Sequence, residues 1–185
     1  MTLPNYISIL RILLIPVFVA SIVYYVNHEL EVYRYLAIAV FSIASLSDAL
    51  DGYLARHLNQ QSRLGAILDP LADKLLLVAG IVVLSLDHRP SLPSIPIWLT
   101  TLVISRDVFL PLGTILISYS GKTPHVQPKS LGKAATIAQM AVILWALLKL
   151  PPAGLTLLVY LAGLLTLVSG IQYVRDGIQQ LSEEP

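Results

Sequence analysis

The sequence contains no cysteine. Disulfides and thiolate metal sites are therefore excluded, and cysteine usage gives no reading of the redox compartment. Charge is also scarce: Asp, Glu, Lys and Arg make up 12% of the residues, against about 25% in an ordinary soluble domain. The net charge is +1 and no basic run interrupts the pattern, so nothing points to nucleic acid. Internal repeats and low-complexity tracts are lacking too. At 185 residues the expectation is one domain, 1–185, too short for a separate soluble module beside several membrane spans.

In place of charge the chain has apolar length, with 56% hydrophobic residues. Runs of roughly the length that crosses a bilayer recur at 5–26, 33–57, 65–86, 95–119, 131–150 and 153–176. The breaks between them are NHELE, HLNQQSR, DHRPSLPS, SGKTPHVQPKS and KLPPA. The first run is too long for a typical signal-peptide core, and no small-residue cleavage site clearly follows it, so it reads as a retained span. Backbone in lipid must satisfy its own hydrogen bonds, which makes these runs helices. The expected fold is an all-α integral membrane protein with six transmembrane helices.

Basic residues set the expected orientation. Arg56, Arg63, Lys122, Lys129, Lys133 and Arg175 collect on one side, and only Arg34, Arg89 and Lys149 on the other. Both termini and the second and fourth connections then face the cytoplasm. Trp98 and Trp145 are expected near the opposite interface, as belt aromatics. His28, His57, His88 and His125 fall in or near connections without a shared spacing and read as solvated surface residues.

Four aspartates interrupt this apolar pattern within DALDGYLARHLNQQSRLGAILDPLADK, residues 48–74. An ionised aspartate near the centre of a spanning helix costs about 2.5–3.5 kcal/mol, so four must face a polar interior, water or cations. Asp48 and Asp51 are three apart, and Asp69 and Asp73 four apart, so each pair shares a helix face. Folded as an antiparallel hairpin turning near residues 59–61, the two helices bring Asp51 level with Asp69 and Asp48 level with Asp73. Four carboxylates at that range repel unless protonated or neutralised. Oxygen donors of this kind suit Mg²⁺ or Mn²⁺, and two bridged ions account for the number four. Gly52, Ala55 and Gly65 allow close approach to the backbone, and Arg56 and Arg63 add cations suited to phosphate at the mouth. The expectation is a cytoplasm-facing polar cavity for phosphoryl chemistry on a lipid. An intramembrane cation channel or transporter is the reading from a different class, but the second and third runs turn apolar beyond Asp48 and Asp73, which makes the site one-sided.

With its aspartates spaced D-x2-D-G-x2-A-R-x8-G-x3-D-x3-D, this stretch resembles the CDP-alcohol phosphatidyltransferases. All eight fixed positions match, as Asp48, Asp51, Gly52, Ala55, Arg56, Gly65, Asp69 and Asp73. The resemblance implies a six-helix membrane core that works as a homodimer. It makes Asp48, Asp51, Asp69 and Asp73 metal ligands and Asp73 also the base that activates an acceptor hydroxyl. Asp48, Gly52, Ala55, Arg56 and Gly65 would take the cytidine diphosphate part of CDP-diacylglycerol. Asn5 joins them, because the family often uses this region near the nucleotide, although Asn5 and Ser8 also fit a helix cap. Arg11, one turn further in, reaches toward the site or the headgroups.

For the acceptor, LGAILDPLADK, LPNYISILRILLIPVF and SLGKAATIAQM resemble the bacterial members that use glycerol 3-phosphate. That implies the bacterial inner membrane, with the active site cytoplasmic. Arg63, Lys74, Arg106 and Lys133 are the candidates for acceptor binding. One departure stands out: those members typically carry Arg-Glu in the fourth span and another arginine about two turns later, whereas here the pair is Arg106-Asp107 and the position eight further on is Thr114. The stretch ISRDV is closer to the cardiolipin synthases of the family, whose acceptor is phosphatidylglycerol. Gly154, Gly163 and Gly170 read as helix-packing or dimer surfaces.

Overall fold

The computed structural model describes residues 3–58, 65–88, 90–120 and 130–182, with side chains described from Ser8 onward except those of 48–58, 65–70 and 181. Six helices follow in order: α1 Leu3–His28, α2 Glu31–Leu58, α3 Gly65–Ser85, α4 Ile97–Tyr119, α5 Ser130–Leu147 and α6 Pro152–Ser182. Among the described residues there is no strand. Among the described residues four helical stretches are long and apolar enough to cross a membrane, namely Ser8–His28, Ile97–Tyr119, Ser130–Leu147 and Pro152–Gln180. Large apolar side chains such as Leu13, Phe109, Leu157 and Leu164 stand exposed along them. Apolar surface on that scale suits lipid rather than water, and the chain is an integral membrane protein.

Helix ends differ from the hydropathy breaks for local reasons. Pro96 is extended (φ −61°, ψ 134°), so α4 begins after it rather than at residue 95. Helix α5 stops at Leu147 instead of 150, where Lys149 turns left-handed (φ 53°) ahead of Pro151. Helix α6 runs on past 176 through GIQQLS to Ser182, because polar residues end an apolar run without ending a helix.

The chain divides into two compact units. In the first, residues 1–94 and 146–149, α1 packs on both α2 and α3. The buried stripe of α1 is Ser8, Arg11, Phe18, Ile22 and Tyr25, and that of α2 is Ala37, Val40, Phe41 and Ala44, each at helical spacing. The rings of Phe18 and Phe41 lie 5.4 Å apart, and those of Tyr24 and Tyr33 also 5.4 Å. As α1 numbers fall, α2 numbers rise, so the two helices are antiparallel.

Polar groups close the end of the unit where α1 turns into α2. Glu29 adopts φ 54° and its N–H reaches back to the Tyr25 carbonyl at 2.8 Å, the left-handed cap that normally favours glycine. Tyr25 Oη donates to Glu31 (3.3 Å), Ser91 Oγ to Glu29 (3.2 Å) and Arg34 Nη1 to the Leu147 carbonyl (3.0 Å). Lys149 Nζ donates to Tyr25 Oη and sits 3.6 Å from Glu31. The hydrogen bond from Arg34, then the charges of Arg34 and Lys149, hold the Glu31 carboxyl below its ordinary pKa.

In the second unit, residues 95–145 and 150–185, α4 packs on α6. Gln139 Nε2 of α5 donates to Thr166 Oγ1 at 2.7 Å, and Thr166 Oγ1 donates to the Ala162 carbonyl at 2.6 Å, all buried. Two glycines of α6 receive indoles: Gly154 lies under Trp145, and a Cβ at Gly163 would come 2.6 Å from Trp98 Cζ3. These glycines are packing positions within the unit. The two contacts lie nine residues apart on α6, about 13 Å of helix rise. Gly113 and Gly177, by contrast, have open space around them.

Two outcomes follow from this packing. Gly163→Ala should cost about 1–3 kcal/mol by displacing Trp98, whereas Gly113→Ala and Gly177→Ala should gain up to about 1 kcal/mol from helix propensity. Thermal melts in detergent compare them, and equal stability of Gly163→Ala and wild type would refute the packing account. The second concerns Glu31, whose folded pKa is depressed. Its contribution is present above the ordinary carboxylate range and is lost as pH falls through the folded value. Tm measured from pH 7 down to pH 3 should therefore drop less steeply in Glu31→Gln than in wild type; parallel curves would remove Glu31 from the account.

Candidate active site

The aspartate motif occupies the last third of α2 and the first half of α3. Both stretches are helical, so the spacings of three and four residues do place Asp48 with Asp51, and Asp69 with Asp73, on common faces. The side chains of Asn5, Asp48, Asp51, Gly52, Ala55, Arg56, Gly65 and Asp69 lie outside the described ones, as does Arg63 entirely, in the connection 59–64.

Asp73 is the motif carboxylate whose side chain is described. It is half-buried, its Oδ1 is buried, and it stands between the fully buried Ala72 and Leu76 on the edge of the core-facing stripe of α3. A carboxylate in that position is held by a packed backbone while retaining access on one side. Lys74, the next residue, is exposed on the other side of the helix.

Two further candidates, Arg106 and Lys133, lie in the second unit. The Arg106 side chain is only 8% exposed, and its Nε lies 3.9 Å from Asp107 Oδ1, beyond hydrogen-bond range. That Nε has no hydrogen-bond partner among the described residues. Arg106 Cγ runs beside Gly170, and Nη2 reaches to within 3.7 Å of where a Cβ would stand on Gly132. Tyr173 Oη approaches the same point at 3.4 Å. Gly132 is in the first turn of α5, where backbone N–H groups are free of helical partners and the helix dipole is positive. Lys133 is adjacent but exposed. The structure thus brings Arg106 to the start of α5 and adds Tyr173 and Gly132, which the sequence reading missed. A glycine inside SLGK with a tyrosine one turn after Gly170 carried no sequence signal of its own.

Beyond Arg106, α4 and α6 border a cavity of about 1070 Å³, its wall mostly apolar and including Phe109, Gly113, Thr114, Gly170 and Tyr173. Thr114 Oγ1 donates to the Leu110 carbonyl at 3.0 Å, so its hydroxyl is turned onto its own helix.

Comparison with known proteins bears on what these residues do. The model of the CDP-alcohol phosphatidyltransferase family matches residues 1–171. A Pseudomonas fluorescens protein is 36% identical, covering 95% of this chain and 89% of its own, and a Haemophilus influenzae protein 33% identical, covering 94% and 91%. An Escherichia coli protein is 34% identical over 93% of this chain and 92% of its own. All three are named CDP-diacylglycerol--glycerol-3-phosphate 3-phosphatidyltransferase. With a complete eight-residue motif on two consecutive helices and a family match over nearly its whole length, the chain belongs to the CDP-alcohol phosphatidyltransferase family.

Proposed function

We propose that the protein transfers a phosphatidyl group from CDP-diacylglycerol to glycerol 3-phosphate, giving phosphatidylglycerol phosphate and CMP. The observation that carries this reading is the full motif in a chain that aligns over 93–95% of its length with relatives bearing that name. In the same reading α2 and α3 also cross the membrane, making six spans around a polar cavity open to the cytoplasm. Both termini are cytoplasmic and the enzyme is a homodimer in the bacterial inner membrane.

The donor set fits divalent metal. It consists of carboxylate oxygens alone, two per helix, with the helical spacing that turns each pair to one face, and hard oxygen donors suit Mg²⁺ or Mn²⁺. Asp48, Asp51, Asp69 and Asp73 are the residues to hold two ions. The chemistry supplied by bound ions is charge neutralisation, of the carboxylates on one side and the phosphoryl oxygens on the other.

The rest belongs to the chain's own residues. Gly52, Ala55 and Gly65 leave room for the donor's cytidine diphosphate against the backbone, with Arg56 and Asn5 beside it. Asp73 takes the proton from the acceptor hydroxyl. The freed oxygen bonds to the phosphorus next to the diacylglycerol, the bond from that phosphorus to the CMP oxygen breaks, and CMP departs with the electron pair. Arg106, whose buried guanidinium keeps an unsatisfied Nε, receives the acceptor phosphate with the first turn of α5, as helix N-termini receive anions. Lys133, next to Gly132, adds positive charge there, and Arg63 and Lys74 remain candidates for acceptor binding.

Purified protein in detergent with CDP-diacylglycerol and Mg²⁺ or Mn²⁺ should release CMP with glycerol 3-phosphate and not with inositol phosphate or serine. Release only with phosphatidylglycerol would reassign it as a cardiolipin synthase, and no release with any acceptor from folded protein would sink the reading. Asp73→Asn should lower kcat by about 10²–10⁴ in protein that still folds. Arg106→Gln should raise KM for glycerol 3-phosphate roughly tenfold or more, in line with loss of a charged hydrogen bond, while KM for the donor stays within about twofold. An equal effect on both would remove Arg106 from the acceptor site.

A further inference from the structure

The inner half of α1 carries a polar strip that the proposed chemistry does not use. Ser8 is 0% exposed and Arg11 1%, and Arg11 is among the largest fully buried side chains of the protein. A buried guanidinium is stable only where opposite charge or several acceptors answer it. Arg11 is not without a partner, its Nε makes no hydrogen bond among the described residues, and the helix register indicates which groups lie at its level.

The register is fixed by the ring pair Phe18–Phe41. Seven residues from Phe18 toward the N-terminus lies Arg11, and seven from Phe41 toward the C-terminus lies Asp48. Seven residues are two helical turns, about 10 Å of rise, and return almost to the same face. Because α1 and α2 are antiparallel, these two steps run in the same direction in space. Arg11 and Asp48 therefore stand at one level on the facing sides of their helices. Ten residues from the same pair lie Ser8 and Asp51, level with one another in turn. Helix α1 also packs on α3, which carries Asp73 with its buried Oδ1.

We propose that Arg11 is the built-in counter-charge of the aspartate cluster, a positioning residue on a third helix. It offsets the mutual repulsion of the carboxylates in the metal-free protein and so keeps α2 and α3 in place for metal to enter. The inference rests on the metal-site reading of the aspartates. A cation serving this purpose matters most when metal is absent, because bound divalent ions supply the same neutralisation. That gives the role a signature distinct from simple packing, which would support both forms equally, and from contact with the donor's phosphates, which would show in donor KM.

The test is a set of thermal melts of the full-length protein in detergent, in EDTA and in saturating Mn²⁺, without substrates. Arg11→Gln should lower Tm in EDTA by about 5 °C or more and by less than half as much in Mn²⁺, so that the Mn²⁺-induced rise is larger than in wild type. Arg11→Lys, which keeps the charge, should recover most of the EDTA loss. The double variant Arg11→Gln/Asp48→Asn should be more stable in EDTA than Arg11→Gln alone, and it provides the reading if the single variant does not fold. Equal losses in EDTA and Mn²⁺, no recovery with lysine, or additive effects in the double variant would each overturn the proposal. So would a raised donor KM with unchanged melts. Absence of any Mn²⁺-induced rise in wild type would instead strike the metal-site reading itself.

Discussion

The constraint that bears hardest on this chain is a group of four carboxylates in a sequence that has little other charge. A single ionised aspartate in mid-span costs about 2.5–3.5 kcal/mol, and four together add their mutual repulsion. No helix pair of this composition can keep them without a compensating charge. The two aspartate pairs sit on consecutive helices, so the compensation must act between helices, and α1, packed on both, is the element in position to take part.

Away from the aspartates, packing cannot rely on the hydrophobic effect, because lipid is as apolar as the side chains it would replace. Association then depends on close fit and on hydrogen bonds. Both are visible in the second unit: indoles lie on Gly154 and Gly163, and Gln139 joins Thr166 where no water competes. The glycines divide by neighbour. Those under an indole are occupied, while Gly113 and Gly177 face open space, so helix packing accounts for the first two and not for the others.

How far this was legible in the sequence depends on the kind of signal. Six helices, their order and the helical spacing of the aspartates could be read directly, since long apolar runs and intervals of three or four have few alternative meanings. Boundaries were read less well, because hydropathy marks where lipid ends, whereas Pro96 and the left-handed Lys149 mark where helices start and stop. The contacts of the two tryptophans with glycines of α6 had no local pattern to announce them. Arg106 was legible as a buried cation but its surroundings were not: Gly132 and Tyr173 meet it across three helices, and no local pattern encodes such a meeting. Arg11 was visible as an arginine in an apolar run, yet its level relative to Asp48 required the ring pair of Phe18 and Phe41.

The polar knot at the turn between α1 and α2 acquires its meaning from that level. Glu31 and Asp48 are seventeen residues apart, about 25 Å along α2, so the knot touches no part of the chemistry. Helices are stiff rods, however, and fixing the turn fixes the register along their length. A slip of one residue on α2 would rotate its faces by about 100° and shift it by about 1.5 Å, and the level proposed for Asp48 would shift with it. Two left-handed non-glycine residues, Glu29 and Lys149, are tolerated in this region, at a cost of about 1–2 kcal/mol each. Strain accepted at this turn is thus offset by a fixed register between α1 and α2, on which the proposed pairing of levels depends.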